Sequence, residues 1–254
     1  KETPSLGFNQ NMELDNPDPY TLENRFLRAE FDPETGMLCA LKDRTAGYDA
    51  LKGPASVRLY VDERDAWGGL QGKRFEDRNV TFRLDSIDKV ESGEIRETIR
   101  VRLSYEGTRL EQLYSLGADE RELRVENRLC FAHPRALLKT AYPTGEGCLI
   151  TRAETAYGIV ERDHKGDDGE YNMQRFLDAA DGAGRGLAVS NDGKYAFNLT
   201  EGRTQITVAR SAIYAQGSSP DWENEIESYE YMDIGTQTFH LILKPHGKRL
   251  PASE

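Results

Sequence analysis

ADGAGRGLAVSNDGKY, residues 180–195, predicts a short strand between two turns. Three glycines at alternate positions, from Gly182 to Gly186, give the chain a flexible entry, because glycine tolerates backbone conformations that other residues avoid. Leu187 to Val189 is a short apolar run, and Asn191-Asp192-Gly193 is a tight-turn signal.

Alternation with period two recurs at regular spacing along the chain. Ser56 to Val61 (SVRLYV) and Val80 to Leu84 (VTFRL) show it most simply. The same pattern or short apolar runs predict strands within 24–31, 37–41, 94–103, 109–114, 122–129, 156–160, 195–199, 205–209 and 238–243. No segment predicts an amphipathic helix. About a dozen antiparallel strands are too many for one flat sheet, so we expect an all-β fold of two large antiparallel sheets packed face to face.

The chain divides into two parts of unequal size. Residues 1–20 are polar and rich in proline, which predicts a linker with a first short strand around Leu6-Gly7-Phe8. Residues 21–254 carry the strand pattern and are expected to form one β domain. The N-terminus has neither an initiator Met nor an apolar signal core, so we expect a piece cut from a longer protein or a processed product.

The composition excludes several classes of protein. The 254 residues are 37% hydrophobic and 30% charged, which suits a globular domain, and the net charge of −11 disfavours nucleic acid as a partner. The sequence has no run of about 18 apolar residues, so no membrane span is predicted. The three cysteines show no CxxC spacing, so we expect buried thiols and a reducing, cytoplasmic location.

The histidines do not form a metal-binding motif. His133, His164, His240 and His246 make no HxH, HExxH or HxxxH pair, so no metal site is predicted. His164 lies in the polar stretch 161–173, beside Arg162, and is the histidine most suited to contact a ligand. The alternative is a solvated loop histidine. No GxSxG elbow indicates a serine nucleophile.

The two tryptophans lie near turn residues and beside carboxylates. Trp67 follows Asp65-Ala66, and Trp222 lies between Asp221 and Glu223. Such tryptophans are typical of sugar platforms and of buried interface anchors. Tryptophan is a leading hot-spot residue, so we favour contact between domains.

Several blocks occur in a fixed order around residues 180–195. They are TPSLGF (3–8), LENRFL (22–27) with FDPETG (31–36), DAW (65–67), LLKTAYP (137–143), YGIVER (157–162), QRF (174–176), and DIG (233–235) with LKPH (243–246). Together they resemble the C-terminal β-region of glycoside hydrolase family 38 α-mannosidases, and the resemblance covers nearly the whole chain.

The resemblance implies a galactose-mutarotase-like β-supersandwich cut from a longer zinc-dependent retaining α-mannosidase. It places the zinc and the catalytic residues in a missing N-terminal domain, so this fragment is expected to hold no cofactor and to be inactive alone. The implied partners are that catalytic domain and an α-mannoside. The implied role is to support the catalytic domain and to lend loop residues to the rim of its site.

Two residues in matched blocks suit contact with sugar. Asp233 is the first choice and Arg162 the second, because a carboxylate or a guanidinium can bind vicinal hydroxyls with paired hydrogen bonds. Each could equally hold only a contact between domains. Retaining hydrolysis needs two carboxylates about 5 Å apart. The sequence cannot choose such a pair among the loop carboxylates Asp163, Asp167, Asp168, Glu170, Asp221, Glu223, Glu225 and Asp233.

Two other functions remain open. A mutarotase-type sugar epimerase needs a histidine acid and a glutamate base facing one pocket, and His164 or His246 would have to supply the histidine. A purely structural module between domains would show an exposed apolar face around Trp67 and Trp222.

Overall fold

The computed structural model describes residues 18–62, 75–165, 169–213 and 230–250. These ranges contain 18 β-strands and no helix. The strands are β1 Thr21–Glu23, β2 Leu27–Phe31, β3 Leu38–Asp43, β4 Tyr48–Asp49, β5 Ser56–Val61, β6 Arg83–Ser92, β7 Arg96–Tyr105, β8 Thr108–Gly117, β9 Leu123–Phe131, β10 Ala136–Pro143, β11 Ile150–Thr155, β12 Gly158–Asp163, β13 Tyr171–Asn172, β14 Phe176–Ala180, β15 Gly186–Asn191, β16 Ala196–Thr200, β17 Arg203–Arg210 and β18 Gly235–His246. The predicted all-β class is confirmed, with more strands than expected.

The largest sheet has nine antiparallel strands in the order β12-β11-β14-β15-β18-β9-β8-β7-β6. The strand predicted from residues 186–189 is β15, and it pairs with β14 on one side and β18 on the other. Gly186 begins β15, and a Cβ on it would lie 2.0 Å from the Ala179 carbonyl oxygen of β14. Glycine is therefore required at this position by close backbone contact.

Two smaller sheets accompany the large one. Four strands pair in the order β1-β2-β3-β4, and five pair in the order β13-β16-β17-β10-β5. The Ala55 N–H donates to the Leu38 carbonyl oxygen at 2.8 Å, so the smaller sheets are joined where β3 meets the start of β5. One apolar cluster includes buried residues from all three sheets. The strands thus pack around a shared core, as antiparallel sheets in face-to-face layers do.

Alternation of apolar and polar residues explains which face of each long strand is buried. On β9, Leu123 and Val125 are buried in the core, while Arg124 and Arg128 are exposed on the opposite face. Strand β10 differs, because its first seven residues are all buried. A strand buried on both faces shows that the five-stranded sheet is covered on both sides at this point.

Some predictions about the chain were wrong. The stretch 161–173 is not one loop, since β12 extends to Asp163 and β13 covers Tyr171–Asn172. The cysteines are all free, but only Cys148 is buried, because Cys39 and Cys130 are half-buried.

Other predictions concern residues outside the described ranges. The strand around Leu6–Phe8 and the tryptophans Trp67 and Trp222 all lie there. Within the described ranges, no helix has the length and hydropathy needed to cross a membrane.

Candidate functional site

The five-stranded sheet carries polar side chains on the face opposite its apolar core. On β10, Leu138 and Tyr142 belong to the core cluster, so Lys139 between them points to the other face. The cross-strand partners of Lys139 are Arg58 on β5 and Thr207 on β17. We call this group the polar layer, and it consists of Arg58, Tyr60, Asp77, Lys139, Glu170, Asn198, Gln205 and Thr207.

The polar layer contains one buried and one half-buried ion pair. The Lys139 ammonium is 2.7 Å from Glu170 Oε1 and donates to Thr207 Oγ1 at 2.8 Å. The side chains of Lys139 and Glu170 are 1% and 6% exposed. Burial lowers the pKa of Lys139, and the Glu170 carboxylate opposes that shift. Arg58 forms a second ion pair, with Asp77.

Neutral groups complete the polar layer. The Tyr60 hydroxyl donates to Gln205 Oε1 at 2.6 Å, and burial raises the pKa of Tyr60. Asn198 is the direct cross-strand partner of Gln205. Three buried polar atoms of the layer have no hydrogen-bond partner: Arg58 Nε, Gln205 Nε2 and Asn198 Oδ1.

Arg162 and His164 meet at Tyr171 on β13, an edge strand of the five-stranded sheet, where Tyr171 packs against the apolar core. The rings of His164 and Tyr171 make an edge contact with centroids 4.8 Å apart, and the Arg162 guanidinium lies 5.2 Å from the Tyr171 centroid. His164 Nε2 is 2.7 Å from Thr151 Oγ1. Because His164 is only 2% exposed, the solvated-loop interpretation is wrong. Its contact with sugar stays a prediction.

Glu170 connects this aromatic group to the polar layer. Glu170 pairs with Lys139, and the next residue, Tyr171, is the one that contacts Arg162 and His164. Arg162 is half-buried, and its Nη1 is a buried nitrogen without a hydrogen-bond partner. The guanidinium therefore retains a donor that the described protein groups do not use.

Asp233 lies at the end of β17. Its Oδ2 accepts a hydrogen bond from the Arg210 N–H at 2.9 Å, and the Arg210 side chain pairs with Asp62 at 2.5 Å. Asp233 has a φ of 53°, in the left-handed region. In this position Asp233 fixes the end of β17. Its contact with sugar stays a prediction.

His246 occupies a buried structural position. Its Nε2 is 2.8 Å from Asp178 Oδ1, and its Nδ1 is 2.8 Å from the Lys248 carbonyl oxygen. Asp178 also pairs with Arg152 at 2.6 Å. Both ring nitrogens of His246 are engaged, so the ring has no free position for the acid catalysis that the epimerase hypothesis requires.

The described residues provide no metal site. Within 18–62, 75–165, 169–213 and 230–250, no group of three or more His, Cys, Asp or Glu side chains could hold a metal ion. These ranges therefore offer no ligand set for the zinc that the resemblance places in a catalytic domain.

Sequence reasoning missed most of the polar layer. Its members are scattered between Arg58 and Thr207, so no motif joins them. One signal was available. Lys139 interrupts the apolar run Ala136–Tyr142, and a lysine buried in such a run needs a partner for its charge.

Comparisons with solved structures identify similar folds. An α-mannosidase from Enterococcus faecalis V583 is 16% identical with a TM-score of 0.72, and the match covers 92% of this chain and 30% of that one. A second family 38 protein from Enterococcus faecalis is also 16% identical, with a TM-score of 0.71 and coverage of 92% and 31%. A galactose mutarotase-like protein from Lactobacillus casei is 10% identical with a TM-score of 0.49, covering 90% of this chain and 100% of that one.

The chain spans about a third of the length of these Enterococcus proteins, 30% and 31% respectively. No curated protein sequence matches it. The model of the glycosyl hydrolases family 38 C-terminal domain matches residues 22–222, which is most of the chain. The chain is therefore a member of the glycosyl hydrolase family 38 C-terminal domain family.

Proposed function

We propose that this chain is the C-terminal β domain of a zinc-dependent retaining α-mannosidase, where it supports the catalytic domain and contacts the α-mannoside. Membership of the family supports a place in a larger glycosyl hydrolase. The similar α-mannosidase from Enterococcus faecalis is about three times as long, since the match covers 30% of its chain. Hydrolysis then requires residues of another domain, and this chain alone is inactive.

The observation that carries the sugar contact is the unpartnered nitrogen of Arg162. Arg162 Nη1 is shielded from solvent without a hydrogen-bond partner, and leaving such a donor unpaired costs about 1–3 kcal/mol. A hydroxyl oxygen of a sugar would accept from it. Arg162 also belongs to the YGIVER block, one of those that carry the family resemblance.

Tyr171 strengthens this assignment. Its ring holds the Arg162 guanidinium by a cation–π contact at 5.2 Å, which restricts the arginine's rotamers before a ligand arrives. Preorganisation of this kind reduces the entropy lost on binding. His164 packs on the same ring and supports its position.

NMR titration of the chain with methyl α-mannoside and an α-mannobioside tests the proposal. We expect the signals of Arg162 and Tyr171 to shift in the wild type, and the signals of Tyr171 to remain unchanged in Arg162→Gln. The matched control is Arg102→Gln, which removes an arginine paired with Glu111 on the nine-stranded sheet. Absence of shifts at high millimolar sugar, or identical shifts in Arg162→Gln, would contradict the sugar contact.

A zinc-supplemented assay tests inactivity separately. The chain should release no nitrophenol from 4-nitrophenyl α-mannoside. Turnover proportional to the concentration of the chain would show that it carries catalytic residues of its own.

A further inference from the structure

One cavity of the structure is lined mainly by cations, although the chain as a whole carries a net charge of −11. Its volume is about 530 Å³, and it lies between the turn after β3, the end of β18 and the start of β9. Among the described residues that line it, Arg121, Lys244 and Lys248 face a single carboxylate, Asp43. A positive cavity opposes the charge of the surrounding surface, so the general need for solubility does not account for it.

Arg121 supplies the most available charge of this cavity. Its guanidinium lies 3.9 Å from the centroid of the Phe26 ring, a cation–π contact that restricts the rotamers of the arginine. Arg25 stacks on the same ring at 4.5 Å, but it also pairs with Asp119 at 2.9 Å. The Arg121 guanidinium makes no hydrogen bond or ion pair with another described residue, so it is held in place while its donors stay available.

The carboxylate of the cavity is already engaged in a turn. Asp43 Oδ1 accepts hydrogen bonds from the Thr45 and Ala46 N–H groups at 2.8 and 3.0 Å, and from the Thr45 hydroxyl at 2.6 Å. These bonds fix the turn that forms one wall of the cavity. The single charge of Asp43 is outnumbered by the three cations.

Buried groups fix the opposite wall. His246 Nδ1 is 2.8 Å from the Lys248 carbonyl oxygen, and Arg152 donates to the Leu250 carbonyl oxygen at 2.9 Å. His246 is only 3% exposed, so the backbone that carries Lys248 is held from the interior. A cavity whose walls are fixed before a ligand arrives loses less entropy on binding.

The cavity has room and access for a small molecule. Arg121 and Lys248 are exposed, so the cavity opens to solvent. Phe26, Leu27 and Leu250 give it apolar walls. Apolar walls with a few polar groups are typical of small-ligand pockets, which usually measure about 300–1,000 Å³.

We propose that this cavity, the cationic pocket, binds a phosphate group, either free or carried by a small organic ligand, through Arg121, Lys244 and Lys248. A guanidinium can donate two parallel hydrogen bonds to phosphate oxygens, and an ammonium binds phosphate as a point charge. Three cations against one carboxylate suit a dianion better than a singly charged group. The inference does not rest on the proposed function, because Arg162 does not line this pocket and the ligand is charged.

NMR titration of the wild-type chain tests the inference with glucose 6-phosphate, inorganic phosphate and glucose at equal ionic strength. We expect both phosphates to shift the signals of the Arg121 side chain and the Gly247 amide, and glucose to leave them unchanged. Tighter binding of glucose 6-phosphate would identify a phosphate ester whose body uses the apolar walls. Equal affinity would show that the phosphate group alone is sufficient.

Two variants and a control locate the contact. Arg121→Gln should weaken the binding of glucose 6-phosphate roughly tenfold, the effect of one lost charged hydrogen bond. Lys248→Gln should weaken it as well. The matched control is Arg102→Gln, which removes an arginine paired with Glu111 from the nine-stranded sheet and should bind as the wild type does.

Three results would overturn the inference. Unchanged signals at high millimolar phosphate would mean that the cationic pocket takes no such ligand. Equal shifts with sodium acetate at the same ionic strength would mean that it does not select a dianion. Equal affinity in Arg121→Gln and the wild type would place the binding elsewhere. If Arg162 responds to mannoside while Arg121 does not respond to phosphate, the proposed function stands and the cationic pocket alone is rejected.

Discussion

Asp178 Oδ1 lies 2.8 Å from His246 Nε2, in a position where both side chains are 4% exposed. The other ring nitrogen of His246 faces the carbonyl oxygen of Lys248 at 2.8 Å. With an acceptor at each nitrogen, the ring is best satisfied as a doubly protonated cation. Arg152 holds the same carboxylate and also donates to the Leu250 carbonyl oxygen, so the cluster ties β11, β14 and the end of β18 together.

His246→Ala should destabilise the domain strongly. The change leaves Asp178 buried with only part of its partners, and breaking a buried pair costs about 3–5 kcal/mol. Urea unfolding measures the loss. The matched control is His240→Ala, because His240 pairs with Asp192 at 2.6 Å but is 53% exposed. That variant should lose less than about 1 kcal/mol. Equal losses in the two variants would contradict a special role for the buried cluster.

The stability of the domain should depend on pH through this same pair. Burial opposes the charge on His246, but the hydrogen bond and the charge of Asp178, with the carbonyl oxygens of Lys248 and Gly184, together outweigh burial and raise the pKa of His246 above 6.5. A raised pKa gives stability that is complete below pH 6.5 and is lost as pH rises through the folded value. Asp178 is also opposed by burial, but hydrogen bonds from His246 and Arg152 lower its pKa below 3.8. Its contribution is complete above pH 3.8 and is lost on acidification.

The free energy of unfolding, measured by urea titration across pH, should therefore include a contribution from the pair that is greatest between pH 3.8 and 6.5. In His246→Gln the decline above pH 6.5 should become shallower. If the free energy of unfolding declines equally steeply in that variant, His246 does not cause the loss of stability above pH 6.5.

Gly186→Ala should disrupt the pairing of β14 with β15. The new methyl group would lie 2.0 Å from the Ala179 carbonyl oxygen and 2.8 Å from Ala180 Cα, so the backbone must move. We expect a loss of about 1–3 kcal/mol, the usual effect of overpacking. Gly182→Ala is the control, since a Cβ there meets no atom within 4 Å. Thermal unfolding compares them, and similar melting temperatures would refute the close-approach argument.

Lys139→Met should destabilise the domain more than the simultaneous replacement of Lys139 and Glu170 does. The single change leaves the Glu170 carboxylate buried at 6% exposure without its ammonium partner, at a cost of about 3–5 kcal/mol. Adding Glu170→Leu removes the unpaired charge, so the double variant should recover much of the loss. Urea unfolding of the single and double variants tests this. A double variant less stable than Lys139→Met would contradict it.

Alternation in the sequence predicted strands well where one face of the strand is exposed to solvent. SVRLYV matches β5 from Ser56 to Val61, because alternation marks a half-buried strand. Strand β10 has no alternation, since both of its faces are covered, and period two did not find it. Strand β12 was partly missed for the opposite reason: its polar residues up to Asp163 resemble a loop.

The candidate site was likewise predicted only in part. Arg162 and His164 are two residues apart, so sequence proximity anticipated that they would lie close together. The polar layer joins Arg58, Lys139 and Gln205, which only the sheet register brings side by side. No single-sequence signal encodes that register over such separations. The choice of Asp233 rested on its block alone, and the structure places its carboxylate against the Arg210 N–H.

Calorimetric titration with an α-mannobioside measures directly whether this domain contacts sugar through Arg162. The wild-type chain and Arg102→Gln should bind with the same affinity, and Arg162→Gln should bind roughly tenfold more weakly, the effect of one lost charged hydrogen bond. No heat of binding in the wild type, or equal affinity in all three proteins, would contradict the sugar contact.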